Sequence, residues 1–441
     1  MGQVFEPYDP KQSLLFPPSL DDWLPGEHQA RFISEAVDQL DLGAFRARYR
    51  ERKDGRGQLA YDPRMMVKVL VYAYSVGIFS SRKIAAGLQD LVALRYLAAS
   101  NEPSHRTIAR FRQENIGLFK GVFVQVVRIA AQAGLVKMGT LAIDGTKLKA
   151  NASKHKAMSY GRMKSEDRRL KKEIDKITRL AQGIDEAEDA EFGPDFRGDE
   201  LPEELRTREG RRAKIREAMK ALEEEQARDD EESGRGEHQA QTGRGRMKRP
   251  NGVPPDKKQR NFTDPESRIM GSPKTGYVQG YNAQIGVDAE AQVIVASGIT
   301  QCAADNGELI AVTKSAQKNA KIRAKRVLAD SGYKSEENFE ALEGMEIDAH
   351  VALGRGENDP VAANNAGPAT ERMYRKRRTK RGRTIYKRRK TIVEPVFGWI
   401  KSVLGFQAFS MRSLRKVEGE WNLVCLAVNL KRLSGRIAWV A

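Results

Sequence analysis

Leu141-Ala142-Ile143-Asp144-Gly145-Thr146-Lys147 is the stretch on which the fold of this chain turns. Three consecutive apolar residues read as a buried strand, and an aspartate followed by glycine places a carboxylate where that strand ends. A second run of the same design, Val327-Leu328-Ala329, ends in Asp330-Ser331-Gly332-Tyr333. Further on, a basic stretch leads into Ile392-Val393-Glu394-Pro395-Val396-Phe397-Gly398-Trp399-Ile400-Lys401. Three carboxylates at element ends predict a metal site. Mg²⁺ is a hard ion that takes oxygen ligands, and proteins commonly hold it with a few carboxylates, leaving the other positions to water and phosphate. Two such ions roughly 3.5–4 Å apart activate an attacking oxygen and stabilise a leaving one in phosphodiester cleavage. That chemistry needs no protein nucleophile, and the chain carries neither a G-x-S-x-G elbow nor a P-loop pattern.

The segments between these motifs set the expected topology. Tyr281–Asp288 and Gln292–Ile299 read as two strands joined by Ala289-Glu290-Ala291. Asp305-Asn306-Gly307 opens a helix running toward Ala320, ahead of the strand that ends at Asp330. A helix near Glu336 to Glu343, a short strand around Ala349 to Leu353, and a helix starting near Glu394 and continuing through Trp399 follow. This order predicts an α/β, RNase H-like domain. Its sheet would bring Asp144 and Asp330 to neighbouring strand ends, with Glu394 supplied from the side by a helix.

Residues 1–135 read as a helical domain. Asp62-Pro63 provides a cap and an N1 proline ahead of Met65, Val69, Tyr72 and Val76 at helical spacing, with Gly77 as a stop. Ser80 or Ser81 caps a helix through Leu88, Ser104 caps another, and Leu118 to Ala133 forms a more apolar one. In His105-Arg106-Thr107-Ile108-Ala109-Arg110-Phe111-Arg112, Ile108 and Phe111 share one side, with Arg106, Arg110 and Arg112 largely elsewhere. Two readings stand: a recognition helix of a helix-turn-helix unit, or an amphipathic surface helix with solvated arginines. From 151 to 260 the composition turns highly charged. Leu170, Ile174 and Ile177, then Ile215, Met219 and Leu222, fall at helical spacings and predict an antiparallel hairpin joined through an acidic stretch around Glu186 to Glu204. Residues 228–260 are expected to be flexible without a partner. The expected organisation is therefore a helical DNA-binding domain over 1–135, a catalytic domain made of 136–150 and 261–441, and a charged insertion over 151–260.

In 441 residues, Lys and Arg total 77 against 59 acidic residues, a net charge of +18. Such a balance favours a polyanionic partner through counterion release, and nucleic acid leads. Arg372 to Lys390 concentrates this charge beside Glu394, which points to phosphate contact there. The two cysteines, Cys302 and Cys425, suggest neither a disulfide framework nor a zinc site. With no leader pattern and no apolar stretch of bilayer length, a soluble cytoplasmic protein associated with the nucleoid is expected.

These features together resemble the DDE transposases of bacterial insertion sequences over nearly the whole chain. Leu15-Phe16-Pro17-Pro18-Ser19, Tyr61-Asp62-Pro63-Arg64-Met65 and Pro103-Ser104-His105-Arg106 are similar to the DNA-binding block of one large group. Ala142-Ile143-Asp144-Gly145-Thr146-Lys147-Leu148-Lys149-Ala150-Asn151-Ala152-Ser153 resembles its first-aspartate motif, and Leu328-Ala329-Asp330-Ser331-Gly332-Tyr333 its second. The third motif of that group has a tyrosine, an arginine, the glutamate and a lysine seven positions on. Tyr386, Glu394 and Lys401 suit it; Arg389 has the right offset from Tyr386 but lies one position too far from Glu394, where the spacing demands Lys390. The resemblance implies Asp144, Asp330 and Glu394 as catalytic metal-holding residues. It implies DNA contacts for Lys401, Tyr386, Arg389 or Lys390, and Arg106, Arg110 and Arg112. It further implies two Mg²⁺ ions, with Mn²⁺ as a substitute, double-stranded DNA as partner at transposon ends and target, and a homodimer in the active complex. All four tryptophans lie outside the interval between Asp330 and Glu394 where some relatives place a base-flipping one, so that route to a DNA hairpin is not expected. Two alternatives remain open: an RNase H-like nuclease without strand transfer, and a decayed or domesticated DNA-binding regulator.

Overall fold

The computed structural model describes residues 19–49, 60–192, 203–232, 250–272, 276–354 and 366–436. Helices α1 (Gln29–Asp38), α2 (Gly43–Ala47), α3 (Pro63–Ser75), α4 (Ser81–Asp90), α5 (Val92–Leu97), α6 (His105–Asn115) and α7 (Phe119–Gln132) come first. The caps read from the sequence account for two starts. Asp62 accepts from the Arg64 amide at 2.6 Å with Pro63 in the first turn, and Ser104 accepts from the Thr107 amide at 3.2 Å. Ser80 stands at the α4 N-cap without a side-chain bond, and Gly77 takes the left-handed conformation (φ +80°) just past α3.

Strand β1 (Leu141–Lys149) follows, then β2 (Ala157–Ser159), the long helices α8 (Tyr160–Phe192) and α9 (Glu203–Glu232), and β3 (Gln259–Asn261). The rest runs β4 (Arg268–Ser272), β5 (Gly276–Asp288), β6 (Ile294–Thr300), α10 (Leu309–Ala320), β7 (Arg326–Ala329), α11 (Glu336–Gly344), β8 (Asp348–Val351), α12 (Pro368–Arg378), α13 (Lys380–Gly398) and α14 (Leu414–Ser434). In the main sheet β5 lies antiparallel to β1 and carries β4 and β6 on its other edge, while β7 and β8 continue in parallel beyond β1. The expected hairpin, helix and parallel strands are present in the expected order.

Helix α14 explains why the helical block and the sheet share one core. Its residues Trp421 to Leu430 are all buried, so it has no solvent face, as expected of a helix apolar on every side. It packs on β6 through Asn429, whose side chain both accepts from the Ile294 amide and donates to the Ile294 carbonyl at 2.8 Å, and on α1, α3 and α7 with its other sides. Helix α3 is equally buried along Val69 to Ser75. A buried polar chain crosses the junction. Arg112 Nη1 donates to the Tyr74 hydroxyl (2.9 Å) and the Phe79 carbonyl (2.6 Å), and Tyr74 donates to Glu420 (3.2 Å). Glu420, fully buried, also accepts from Ser410 and from the Met411 amide.

The charged hairpin has its own small core of Tyr160, Met163, Leu170, Ile215, Ala218 and Leu222. Pairing of Arg208 with Glu173 and of Arg212 with Asp167 shows that α8 and α9 run antiparallel. The expected flexibility of 228–260 and most of the acidic join fall outside the described residues, apart from the end of α9 and the stretch from Pro250.

Candidate active site

The parallel register of β1 and β7 pairs Leu141 with Val327 and Ala142 with Leu328. The same offset carries Asp144, inside β1, level with Asp330, just past the end of β7, so two carboxylates stand side by side on adjacent strands. Asp144 Oδ1 accepts from the Gly145 amide (2.9 Å), and Asp330 Oδ1 caps the turn Ser331–Tyr333 through the Gly332 amide (2.8 Å).

Side-chain alternation puts Asp144 and Thr146 on one face of β1, the face met by α13. Two cations come down on it. Arg389 Nη1 reaches Asp144 Oδ2 at 3.0 Å, and Lys401, in a π-turn at Trp399–Val403, donates to the Thr146 hydroxyl. Arg389 Nη2 also lies 3.8 Å from Glu394, whose side chain is half exposed. Arg389 itself is 9% exposed, and its Nε has no partner. Lys390, the other position open to the arginine role, is exposed.

Burial pushes the Asp144 carboxyl up to about 6; Arg389 opposes this and the neighbouring Asp330 charge adds to it. Burial pulls the Arg389 guanidinium down, but Asp144, Tyr386 and Asp330 together outweigh it and hold Arg389 above its usual value. An all-oxygen pair of carboxylates, level and mutually repelling, is a donor set of the kind Mg²⁺ takes. Asp144 and Asp330 fit such an ion. Glu394 joins them only through Arg389, and among the described residues no three acidic, histidine or cysteine side chains stand close enough to hold a metal.

Four expectations need correction. Asp144 does not end its strand but is the fourth residue of β1, because pairing with β5 carries the strand on through Lys149. Glu394 is not near the start of a helix but close to the end of α13, because the basic stretch before it is itself helical. Arg112 is 8% exposed and spends its guanidinium on Tyr74 and Phe79, so it faces the core while Arg106 and Arg110 remain exposed. The basic run from Arg372 is partly consumed inside the fold: Arg372 pairs with Glu343 (2.6 Å), Lys376 with Asp348 (2.5 Å), and Arg377 stacks 3.6 Å over the Tyr386 ring. Arg381, Arg383, Lys387, Arg388 and Lys390 on α13 are exposed. Tyr386, Tyr374, Arg377, Arg378, Lys334, Ser331 and Gly332 line an open cavity of about 710 Å³ beside Asp330.

One acidic residue escaped the sequence reading. Asp305, read only as the opener of a helix, lies against the opposite face of β1 and β5, bonded to Lys147, Asn282 and Gln284. Nothing local marks it, since its position depends on the β1–β5 pairing.

The Transposase DDE domain family matches residues 251–430, and the Transposase domain family DUF772 matches residues 18–114. The chain belongs to the insertion-sequence DDE transposases. No curated protein and no solved structure matches it. It is thus a DDE-type transposase, an enzyme acting on DNA, of a family that uses divalent metal ions and has an RNase H-like catalytic fold. Strand β1 with Asp144, and the α8–α9 hairpin, lie between the two matched stretches of this transposase. Among its described residues no helix is long and apolar enough to cross a membrane.

Proposed function

We propose that this transposase binds the ends of its insertion sequence, cleaves them by metal-dependent phosphodiester hydrolysis and joins the freed 3′ ends to target DNA. The observation that carries the reading is the level pair Asp144 and Asp330 with a buried guanidinium closed over it. In this reading Asp144 and Asp330 hold the metal, with Glu394 as the third carboxylate. Two Mg²⁺ ions, when bound, supply activation of the attacking oxygen and stabilisation of the leaving one, and Mn²⁺ substitutes for them. Asp144 would hold the ion in its ionised form, which Arg389 favours and keeps oriented. Hydrolysis and strand transfer are both in-line displacements at phosphorus and run at the same carboxylates.

Backbone binding falls to the exposed cations. Arg106 and Arg110 on α6 and Arg381, Arg383, Lys387, Arg388 and Lys390 on α13 contact phosphates, which position DNA without reading its sequence. Tyr386 and Lys401 border the carboxylates and orient the scissile strand. Arg389, supported by its contact with Asp144, fills the arginine position of the third motif in preference to Lys390. Two ends must be cut together, so the active complex is a homodimer on double-stranded DNA in the bacterial cytoplasm.

The test is cleavage of labelled DNA carrying the element's own end, with and without Mg²⁺. Metal-dependent cuts that vanish in Asp144→Asn, Asp330→Ala and Glu394→Gln, with DNA binding retained, are expected. Unchanged cleavage by Asp330→Ala would sink the assignment. Cuts without joined products would instead identify a nuclease, and binding without any cleavage a decayed regulator.

A further inference from the structure

The two glycines of the aspartate motifs, Gly145 and Gly332, both leave room for a cluster that includes Asp305. A Cβ on Gly145 would stand 2.4 Å from Gln284 Nε2 and 2.7 Å from Asp305 Oδ1, and one on Gly332 would stand 3.0 Å from Asp330 Oδ1 and 3.2 Å from Asp305 Oδ2. Gly332 has no left-handed backbone to explain its identity. Space beside Asp305 and its partner Gln284 at one glycine, and between Asp305 and Asp330 at the other, is what these positions keep open.

Asp305 is itself fixed. Its Oδ1 accepts from Asn282 Nδ2 at 2.6 Å and Gln284 Nε2 at 2.7 Å, both on β5, and Lys147 Nζ on β1 lies 3.2 Å from each carboxylate oxygen. Gln284 passes the contact on, because its Oε1 accepts from the hydroxyl of fully buried Tyr333, the last residue of the Asp330 turn. One carboxylate therefore touches β1, β5 and, through Gln284, the turn that carries Asp330. It does so on the face opposite Asp144, where it meets no Arg389.

We propose that Asp305 is a positioning residue for the metal-holding pair: a carboxylate wedged behind β1 and the Asp330 turn that fixes how Asp144 and Asp330 are presented. This rests on the reading of Asp144 and Asp330 as metal-holding residues. Asp305 acts through Gly145, Gly332 and Tyr333, and takes no part in holding the ion.

The experiment is titration of the full-length chain with Mn²⁺ alone, followed by electron paramagnetic resonance, alongside thermal unfolding. Asp144→Asn is the control for the underlying reading: if it leaves Mn²⁺ affinity unchanged, that reading fails whatever Asp305 does. With the control abolishing binding, Asp305→Asn is expected to weaken Mn²⁺ roughly tenfold and Asp305→Ala up to about a hundredfold, the range seen when groups behind metal ligands are removed. The asparagine variant keeps the shape and one acceptor oxygen but sets an amide against Lys147 or Gly332, so it folds and retains part of the effect. Gly332→Ala, with Asp305 intact, is expected to weaken Mn²⁺ as well, since one carboxylate must shift. A lower melting point in both Asp305 variants with wild-type Mn²⁺ affinity would overturn the proposal and leave Asp305 a fold residue only. Should Asp305→Ala fail to fold, Asp305→Asn with wild-type affinity is enough to overturn it.

Discussion

Replacing Arg389 with glutamine should cost this transposase stability in a way that depends on pH and is reversed by Mg²⁺. Arg389 and Asp144 form a 3.0 Å ion pair with side chains only 9% and 18% exposed, so solvent screens them little. Even with the arginine present, burial leaves Asp144 titrating at about 6. That value bounds the effect. Ionised Asp144 in the folded wild type lies below its protonated form by about 1.4 kcal/mol for each pH unit above 6. The variant escapes the uncompensated charge by taking up a proton, so it cannot lose more than that difference from the charge contact. The ceiling is therefore under about 1 kcal/mol at pH 6 and about 3 kcal/mol at pH 8.

The sign follows from linkage. Asp144 titrates higher in the folded than in the unfolded chain, so ionisation destabilises the fold progressively from the ordinary carboxylate range up to its folded value. Without Arg389 that decline continues to higher pH, and the gap between variant and wild type opens only above 6. Urea denaturation of both proteins at pH 6, 7 and 8, with and without Mg²⁺, measures the gap. Mg²⁺ should close it at pH 8, since a cation at Asp144 and Asp330 does the work of the guanidinium. A gap that is the same at all three pH values would refute Arg389 as the counter-ion of an ionised Asp144.

Three further outcomes are expected. Mg²⁺-dependent cleavage by the wild type should fall as pH drops through about 6, by roughly tenfold per unit below it, because protonated Asp144 no longer binds the ion; a pH profile with its acid limb near 4 would contradict this. Glu420→Gln replaces an acceptor of bonds from Tyr74, Ser410 and Met411 with a group that presents two donors to them. It should cost roughly 2–5 kcal/mol in urea denaturation, and the helical block and sheet should still melt together because α14 joins their cores. The double variant Arg106→Ala/Arg110→Ala should lower DNA affinity and reduce the slope of log affinity against log salt by about 2, whereas Arg112→Met should lower the melting point and leave that slope unchanged.

What was legible in the sequence follows the range of the interactions responsible. β1, β7 and their aspartates announce themselves through consecutive apolar residues followed by Asp-Gly and Asp-Ser-Gly, and parallel pairing does the rest, although only Asp330 lies at a strand end and Asp144 lies inside β1. Asp62 and Ser104 were readable as caps because a cap bonds within three residues. The misplacement of Glu394 has a local cause of another kind. Arg and Lys crowding between 380 and 390 reads as repulsion, yet Thr379 caps the segment, accepting from the Gly382 amide, and its exposed cations spread around the helix. Pro395 sits in the last turn of that helix, which gives way to the π-turn that brings Lys401 to Thr146. Arg112 shows the limit most plainly. Its neighbours in sequence place it among polar residues, and only the crossing of α6 over α3 delivers it to Tyr74 and, through that hydroxyl, to Glu420 more than 300 positions away. Asp305 obeys the same logic: its partners come from two strands whose register is set by the whole sheet. A carboxylate held by long-range contacts leaves its trace in the residues that stay small around its cluster, so Gly145, against Gln284 and Asp305, and Gly332, against Asp330 and Asp305, are the part of that arrangement that the sequence does record.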